Sequence, residues 1–315
     1  MLKKVECIKD IVLFGAGKRG RKALSHFGKE RVLFFCDNNE KIVGTQIDGV
    51  NVVGFDELTR KNLDKVKICI TVVNPQSVSQ IKQKLSMVNA EIFYYDDDEF
   101  YNGDILDIFD CIYKQHAWGG GGLYSGDGSH DEVIINPYME LLKQFIFGNA
   151  IESILDIGCG DFNIMKRVLE SLDLVGYNYN YYGIDAAASV IDSNNRNYGN
   201  DKVNFVHMDA TKIEQMPVAD LVIIRQVMQH LDNKSIYNLV KRLKSYHYVL
   251  YTEHVYLGDG VIYNIDKKIG PQIRLGRKSG VYLEKAPYNC QNIIHLLSIP
   301  NNGGVIRTSL MINEV

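Results

Sequence analysis

The chain has 315 residues, 46% of them hydrophobic, which is enough for about two domains with packed cores and excludes a disordered or fibrous protein. Lys+Arg 35 against Asp+Glu 38 leaves a formal charge of −3, so no overall positive field holds the chain on nucleic acid or an anionic lipid surface, and any anion site must be local. The cysteines (Cys7, Cys36, Cys69, Cys111, Cys159, Cys290) form no C-x-x-C pair and fall mostly in apolar runs, as in a reducing compartment. No apolar run reaches the length of a signal core or a membrane span, so the expectation is a cytoplasmic protein without membrane insertion.

In chain order, short β-prone apolar runs alternate with longer amphipathic segments, as in α/β domains with parallel sheets, and the alternation occurs twice. In the first set, residues 11–14, 32–36, 67–73 and 91–95 read as buried strands, with helices over 18–27, 56–64 and 76–88, the last started by Asn74-Pro75. Residues 44–55 carry a D-G turn between β-prone residues, a small hairpin. The first strand runs into Gly15-Ala16-Gly17-Lys18-Arg19-Gly20, a G-x-G-x-x-G loop entering a helix, and Asp37 ends the next strand 22 residues after Gly15. That spacing suits a dinucleotide or nucleotide. Lys18, Arg19, Arg21 and Lys22 crowd the first turns of the helix, where the macrodipole disfavours each cation by about a few tenths of a kcal/mol unless an anion binds there. The alternative is a structural Rossmann-like module, which fold alone does not distinguish.

The acidic run 96–99 marks the boundary after a first domain of residues 1–100. Residues 101–150 then read as a linker, a glycine-rich lid and a first helix, before a second domain over 151–315. Residues 118–130 hold six glycines in thirteen, too many for a packed element. Trp118, Tyr124, Ser125, Ser129 and His130 within that stretch favour a flexible lid over cofactor and substrate, against the plainer reading of a Gly/Ser spacer. Asn136-Pro137 reads as the start of a helix to about residue 147. Strands follow near 153–157, 181–184, 203–207, 221–224 and 248–252, and the runs 293–299 and 305–312 flank Asn301-Asn302-Gly303-Gly304 as an antiparallel hairpin.

The strand at 153–157 runs through Asp156 into Gly158-Cys159-Gly160-Asp161, a loop where backbone approaches a ligand without Cβ interference. Asp185 ends the next strand, 29 residues after Asp156, where a carboxylate accepts from both hydroxyls of a ribose. Asp209 ends the third and is placed to accept from an adenine amino group. One such acid is as readily a strand-end cap as a ligand; three at consecutive strand ends after a glycine loop favour the ligand.

Over residues 151–252 the sequence resembles the class I S-adenosylmethionine-dependent methyltransferases, through LDIGCG at 155–160, GID at 183–185, HMDAT at 207–211, ADLVIIRQVMQHL at 219–231 and YTEH at 251–254. The resemblance implies two tandem Rossmann-like domains, the second a class I methyltransferase fold with an antiparallel C-terminal hairpin. It implies that Gly158 and Gly160, with Asp156 and Asp161, line the methionine and ribose. Asp185 would hold the ribose, Asp209 and Ala210 would flank the adenine, and Arg225 and Gln226 would lie beside the sulfonium. One departure is Phe162, which stands where the family loop has its third glycine.

S-adenosylmethionine carries an activated methyl group, so the protein must place a nucleophile in line and, for an alcohol, remove its proton. His230 or His254 is the expected base, oriented by Glu253, with packing and strand capping as the plainer roles. Residues 266–278 concentrate Lys267, Lys268, Arg274, Arg277 and Lys278, either a solvated loop or an anion site for the substrate with Arg274 in it. No metal-ligand set is read.

Residues 8–100 resemble the amino-terminal nucleotide-binding domain of bacterial enzymes of cell-surface polysaccharide assembly, through FGAGKRG at 14–20, FFCDNN at 34–39 and VGTQIDGVNVVGFDEL at 43–58. That likeness implies a nucleotide or nucleotide-sugar at Gly15, Gly17, Lys18, Arg19, Gly20 and Asp37. The second half is likewise similar to methyltransferases of polysaccharide loci, through YSGDGSH at 124–130, RQVMQHLDN at 225–233 and SGVYL at 279–283. The expected function is O-methylation of a sugar or nucleotide-activated sugar. N-methylation of an amino sugar and a non-catalytic nucleotide-sensing scaffold that retains adenosyl binding are the alternatives. The expected partner is the small-molecule substrate, with no nucleic acid, and a homo-oligomer is left open.

Overall fold

The computed structural model describes residues 10–95, 101, 103–120, 122–212 and 216–314, and the chain divides into two compact units, Met1–Asp96 and Asp97–Val315. The acidic run read as a domain boundary, and Cys7, lie outside the described residues.

The first unit runs β1 (Ile11–Phe14), α1 (Lys18–Phe27), β2 (Val32–Cys36), β3 (Gln46–Ile47), β4 (Val50–Val53), α2 (Phe55–Thr59), β5 (Lys67–Ile70), α3 (Pro75–Leu85) and β6 (Glu91–Tyr94). Its sheet has the order β3-β4-β2-β1-β5-β6, with β3 antiparallel to β4 and the other pairs parallel. Val12 and Phe14 enter one core and Ile11 and Leu13 the other, the period-two alternation of a strand covered on both faces. Asn74 caps α3 by accepting from the Gln76 and Ser77 N–H groups, with Pro75 in its first turn. The helix expected over 56–64 stops at Thr59; beyond it the Asn62 side chain accepts from the Asp64 N–H at 3.0 Å, a local bond that competes with helix.

The second unit runs α4 (Ile105–Lys114), α5 (Glu132–Gly148), β7 (Ser153–Ile157), α6 (Asn163–Leu174), β8 (Asn180–Asp185), α7 (Ala188–Tyr198), β9 (Val203–His207), β10 (Leu221–Arg225), α8 (Asn233–Leu243), β11 (Tyr248–Val255), β12 (Ile293–Asn301) and β13 (Gly304–Ile312). The sheet order is β12-β13-β11-β10-β7-β8-β9, parallel from β11 to β9, with β13 antiparallel to both its neighbours. The C-terminal hairpin is therefore antiparallel. Ile108 and Ile112 of α4 and Ile236 and Leu239 of α8 pack on one face. Leu142 and Ile146 of α5 and Met165 and Leu169 of α6 pack on the other. Each such side chain contributes about 1.5–3 kcal/mol on burial. Residues 101–150 thus supply helices to both cores of this unit. The helix expected from Asn136 begins a turn earlier, because Asp131 accepts from the Val133 N–H at 3.0 Å and caps it; Pro137 lies inside and forgoes one backbone bond. Among the described residues no helix is long and apolar enough to cross a membrane.

Candidate active site

Strand order reverses between β7 and β10, and open α/β sheets bind ligands in the crevice outside the carboxyl ends at such a point. After β7 the chain turns through Gly158 (φ 75) and Gly160 (φ 54). The space their missing side chains leave is filled by the chain itself: a Cβ on Gly158 would lie 2.2 Å from the Val227 side chain, and one on Gly160 would lie 2.5 Å from the Ser125 hydroxyl. Phe162, where the third glycine was expected, also has positive φ (63). Its ring packs against Tyr181, Tyr198 and Phe205, and that burial offsets the ~1–2 kcal/mol a non-glycine residue loses there.

The three acids have different surroundings. Asp156 lies within β7 and accepts from the Tyr181 hydroxyl at 2.7 Å; burial pushes its pKa up to about 7. It braces the core on the face it shares with Ile154, one residue before the strand ends. Asp185 ends β8 and accepts from the Gly160 N–H at 3.0 Å and the Ala187 N–H at 2.9 Å, tying the glycine loop to the start of α7; burial raises its pKa. Asp209, beyond β9, accepts from the Thr211 N–H (2.9 Å) and hydroxyl (2.7 Å) through Oδ1, with Lys212 3.7 Å from Oδ2 and Ala210 half-buried beside it. A carboxylate has about four lone-pair positions, so Asp185 and Asp209 keep acceptor capacity, and a ribose diol and an adenine amino group are donors. The chemistry of these two groups fits S-adenosylmethionine.

At the end of β10, the Arg225 guanidinium is engaged by the chain itself. It donates to the Gly128 carbonyl (2.6 Å), the Gln226 Oε1 (2.9 Å) and the Ser129 hydroxyl (3.4 Å), 5.0 Å from the Tyr138 ring centre, and burial lowers its pKa. Gln226 has positive φ (55) and donates its N–H to the Thr252 carbonyl at 2.7 Å. Gly128 lies flush against Gln226, where a Cβ would be 2.3 Å from Oε1.

The glycine-dense stretch expected to be a flexible lid is docked as a strap, because its few side chains all find partners. Ser125 and Asp161 bond reciprocally, Ser125 N–H to Oδ2 and Asp161 N–H to Oγ, both at 2.9 Å. His130 Nε2 lies 2.7 Å from Asp161 Oδ2, and Asn163 donates to the Ser129 carbonyl at 2.8 Å. Trp118 donates to the Pro271 carbonyl at 3.3 Å, and Tyr124 donates to Asp127 at 2.7 Å while stacking on His130 at 4.3 Å.

His230, Glu253 and His254 are buried. Glu253 accepts from the Met228 (3.0 Å) and Gln229 (2.8 Å) N–H groups, holding the turn that carries His230. It orients no imidazole, a correction to its expected role, because its oxygens serve backbone donors; burial pushes its pKa up to about 8. Burial, with Lys267 nearby, pushes His230 down to about 3, and its ring lies 5.1 Å from Trp118. Its Nδ1 makes no hydrogen bond of normal geometry, although the Gln272 and Gly270 backbone lies near enough to favour the charged ring slightly. His254 holds Nε2 3.0 Å from the Asn301 carbonyl, and burial lowers its pKa. Arg274 is fully buried and is no substrate anion site: its guanidinium donates to the Ile265, Met228, Gln229 and Leu231 carbonyls and to Asn233. The basic run of 266–278 is in this part a clamp on the turn bearing His230. Sequence reasoning missed Gln229, beside the expected base, and Tyr113, which hydrogen-bonds Ser125 at 2.9 Å. The signal for Tyr113 was the amphipathic run after Asp104.

In the first unit β1 and β5 flank the reversal of strand order. A Cβ on Gly15 would lie 2.6 Å from the Thr71 hydroxyl and one on Gly20 2.0 Å from the Gly15 carbonyl oxygen, whereas Gly17 faces open space. Asp37 accepts from the Ala16 (2.7 Å) and Asn39 (2.8 Å) N–H groups. Lys18 is exposed, and Arg19 donates to the Tyr95 carbonyl.

The acceptors at the carboxyl edge of the second sheet suit a methyl donor built on an adenosine, and part of the second unit is similar to a methyltransferase domain. Residues 154–246 match the family model described as a methyltransferase domain. No protein of curated function matches the sequence. Among solved structures, the chain is similar to the N-methyltransferase NodS from Bradyrhizobium japonicum WM9 in complex with S-adenosylhomocysteine (9% identity, TM-score 0.46, 64% of this chain and 97% of that one). It is also similar to magnesium protoporphyrin IX methyltransferase from Synechocystis PCC 6803 with bound S-adenosylhomocysteine (12%, 0.44, 67% and 98%). A third is the N-terminal domain of EvdMO1 in the presence of S-adenosylhomocysteine and D-fucose (11%, 0.44, 65% and 96%). Scores at this level carry no statement about substrate.

Proposed function

We propose that the chain is an S-adenosylmethionine-dependent O-methyltransferase acting on a sugar or nucleotide-activated sugar in cell-surface polysaccharide biosynthesis, with the first unit holding a nucleotide or nucleotide-sugar. The observation that carries the cofactor assignment is the pair of buried carboxylates, Asp185 and Asp209, at adjacent strand ends, each with acceptor capacity to spare. The sugar acceptor rests on the resemblance of both halves to enzymes of polysaccharide loci. When bound, S-adenosylmethionine supplies a methyl group already activated by a cationic sulfur. The chain then has to hold the ribose (Asp185) and adenine (Asp209), exclude water with the strap, and accept the proton of the acceptor hydroxyl. Calorimetry with S-adenosylmethionine and a coupled homocysteine assay on a panel of nucleotide sugars test the reading. Binding with turnover of a hydroxyl acceptor is expected; binding without product on the whole panel defeats it.

A further inference from the structure

Four histidines stand near the carboxyl edge of the second sheet. His207 ends the outer strand β9, with Nε2 2.9 Å from the Ala186 carbonyl, two strands away from the reversal between β10 and β7; for each of the other three a partner decides where the ring proton sits. For His230 the partner is Gln229. The His254 backbone N–H, which only donates, reaches Gln229 Oε1 at 3.0 Å, so the other end of that amide is its NH2 group. This NH2 faces His230 Nε2 at 3.2 Å and donates to it. Neutral His230 therefore carries its proton on Nδ1, and its one lone pair is taken. His254 points Nε2 at the Asn301 carbonyl and so is protonated there, its ring buried beside the hairpin.

His130 differs. Its Nε2 partner, Asp161 Oδ2, is an acceptor at 2.7 Å, so Nε2 carries the proton and Nδ1 keeps its lone pair on a side chain that is 32% exposed. Asp161 is itself fixed by the N–H groups of Ser125 (2.9 Å) and Asn163 (3.2 Å). The His130 ring is held flat against Tyr124, whose hydroxyl is bound to Asp127. Asp161 follows the glycine loop after β7, while Gly128 and Ser129, just before His130, are bound by Arg225 at the end of β10. The dyad thus spans the ends of the two strands that flank the crevice.

Resting on the O-methylation reading, we infer that His130, oriented by Asp161, is the general base of the reaction, in place of His230 or His254. As the acceptor oxygen bonds to the methyl carbon, its proton passes to His130 Nδ1, and the electron pair of the broken carbon–sulfur bond stays on sulfur. The imidazolium that forms is held by the Asp161 carboxylate, the arrangement in which a carboxylate sets the tautomer and stabilises the charged ring.

The test uses the full chain and three readouts: nitrogen-15 NMR of the histidine rings, calorimetric affinity for S-adenosylmethionine, and homocysteine release on the nucleotide-sugar panel. Wild type is expected to show His130 protonated at Nε2 alone in its neutral form. His130→Gln keeps a donor for Asp161 and is expected to hold cofactor affinity within about threefold while turnover falls by about 10²–10⁴-fold. Asp161→Asn is expected to move the His130 proton to Nδ1 with a comparable loss. A wild-type ring protonated at Nδ1, a His130→Gln variant with turnover within about threefold of wild type, or one whose cofactor affinity falls in step with turnover each overturns the inference. Wild type inactive on the whole panel defeats the O-methylation reading, whereas wild type active alongside an active His130→Gln defeats the base assignment alone.

Discussion

Gly160 is the position where strap and cofactor loop are most directly coupled, and Gly160→Ala separates the two reasons for a glycine there. The new Cβ meets the Ser125 hydroxyl at 2.5 Å and the Tyr113 hydroxyl at 3.2 Å, on a residue with φ +54. The left-handed backbone costs alanine about 1–2 kcal/mol. Displacing Ser125 forfeits its bonds to Tyr113 and to the Asp161 N–H, both at 2.9 Å, at about 0.5–1.5 kcal/mol each. The single variant is therefore expected to lose about 2–5 kcal/mol in denaturant unfolding and to become cleavable within residues 118–130 under brief proteolysis. In a Ser125→Ala background the clashing oxygen and both bonds are already gone, so Gly160→Ala should then cost about 1–2 kcal/mol. The cycle should thus show a coupling of about 1–3 kcal/mol. Additivity within about 0.5 kcal/mol, with the strap still resistant to protease, would refute the claim that the strap rather than the ligand requires this glycine.

Arg274→Met should destabilise the second unit by about 3–5 kcal/mol, because it leaves the Met228, Gln229 and Leu231 carbonyls buried without their donor; thermal unfolding of the purified variant reads this directly. Asp156 rises from 3.8 unfolded to about 7 folded, so the native state binds the extra proton. Its contribution is full below the unfolded value and is lost as pH climbs through about 7. Asp156→Asn should flatten that part of the stability–pH curve, and an unchanged curve would contradict the assignment. Gly17→Ala in the first unit meets no atom within 4 Å and should change stability by about 0.5 kcal/mol or less. If a nucleotide approaches that loop, the same change weakens UDP or UDP-sugar binding by calorimetry; equal affinity in both proteins would place the nucleotide elsewhere or nowhere.

Strand positions and the terminal hairpin were legible because period and turn chemistry are local: Asp48-Gly49 and Asn302-Gly303 sit at the tips of the two hairpins, all four with positive φ. The start of α5 was misread because two capping signals lie five residues apart, and the Asp131 bond to Val133 decides between them. Helix α4 was missed because its apolar face follows an acidic run that looks like a linker. Within the site, the acids at the ends of β8 and β9 were legible from spacing. The bond from Tyr181 to Asp156 was not legible, because position along a strand does not reveal which hydroxyl waits on the neighbouring strand. The histidines rank differently in the structure for a related reason. Sequence ranks a histidine by its neighbours in the chain, whereas its usefulness as a base depends on which nitrogen a distant group has already engaged.

The glycines of both loops make the same point in steric form. Spacing marks Gly15, Gly17, Gly20, Gly158 and Gly160 alike as places where backbone approaches a ligand. Yet the missing side chain at four of them makes room for the protein: Thr71 at Gly15, the Gly15 carbonyl at Gly20, Val227 at Gly158 and Ser125 at Gly160. Gly17 alone of the five faces open space. A glycine motif is thus a statement about crowding before it is one about binding, and the partner that crowds it determines which. At Gly160 that partner is Ser125, in the segment carrying His130, so one loop both crowds the glycine turn after β7 and fixes the side chain inferred to act beside it.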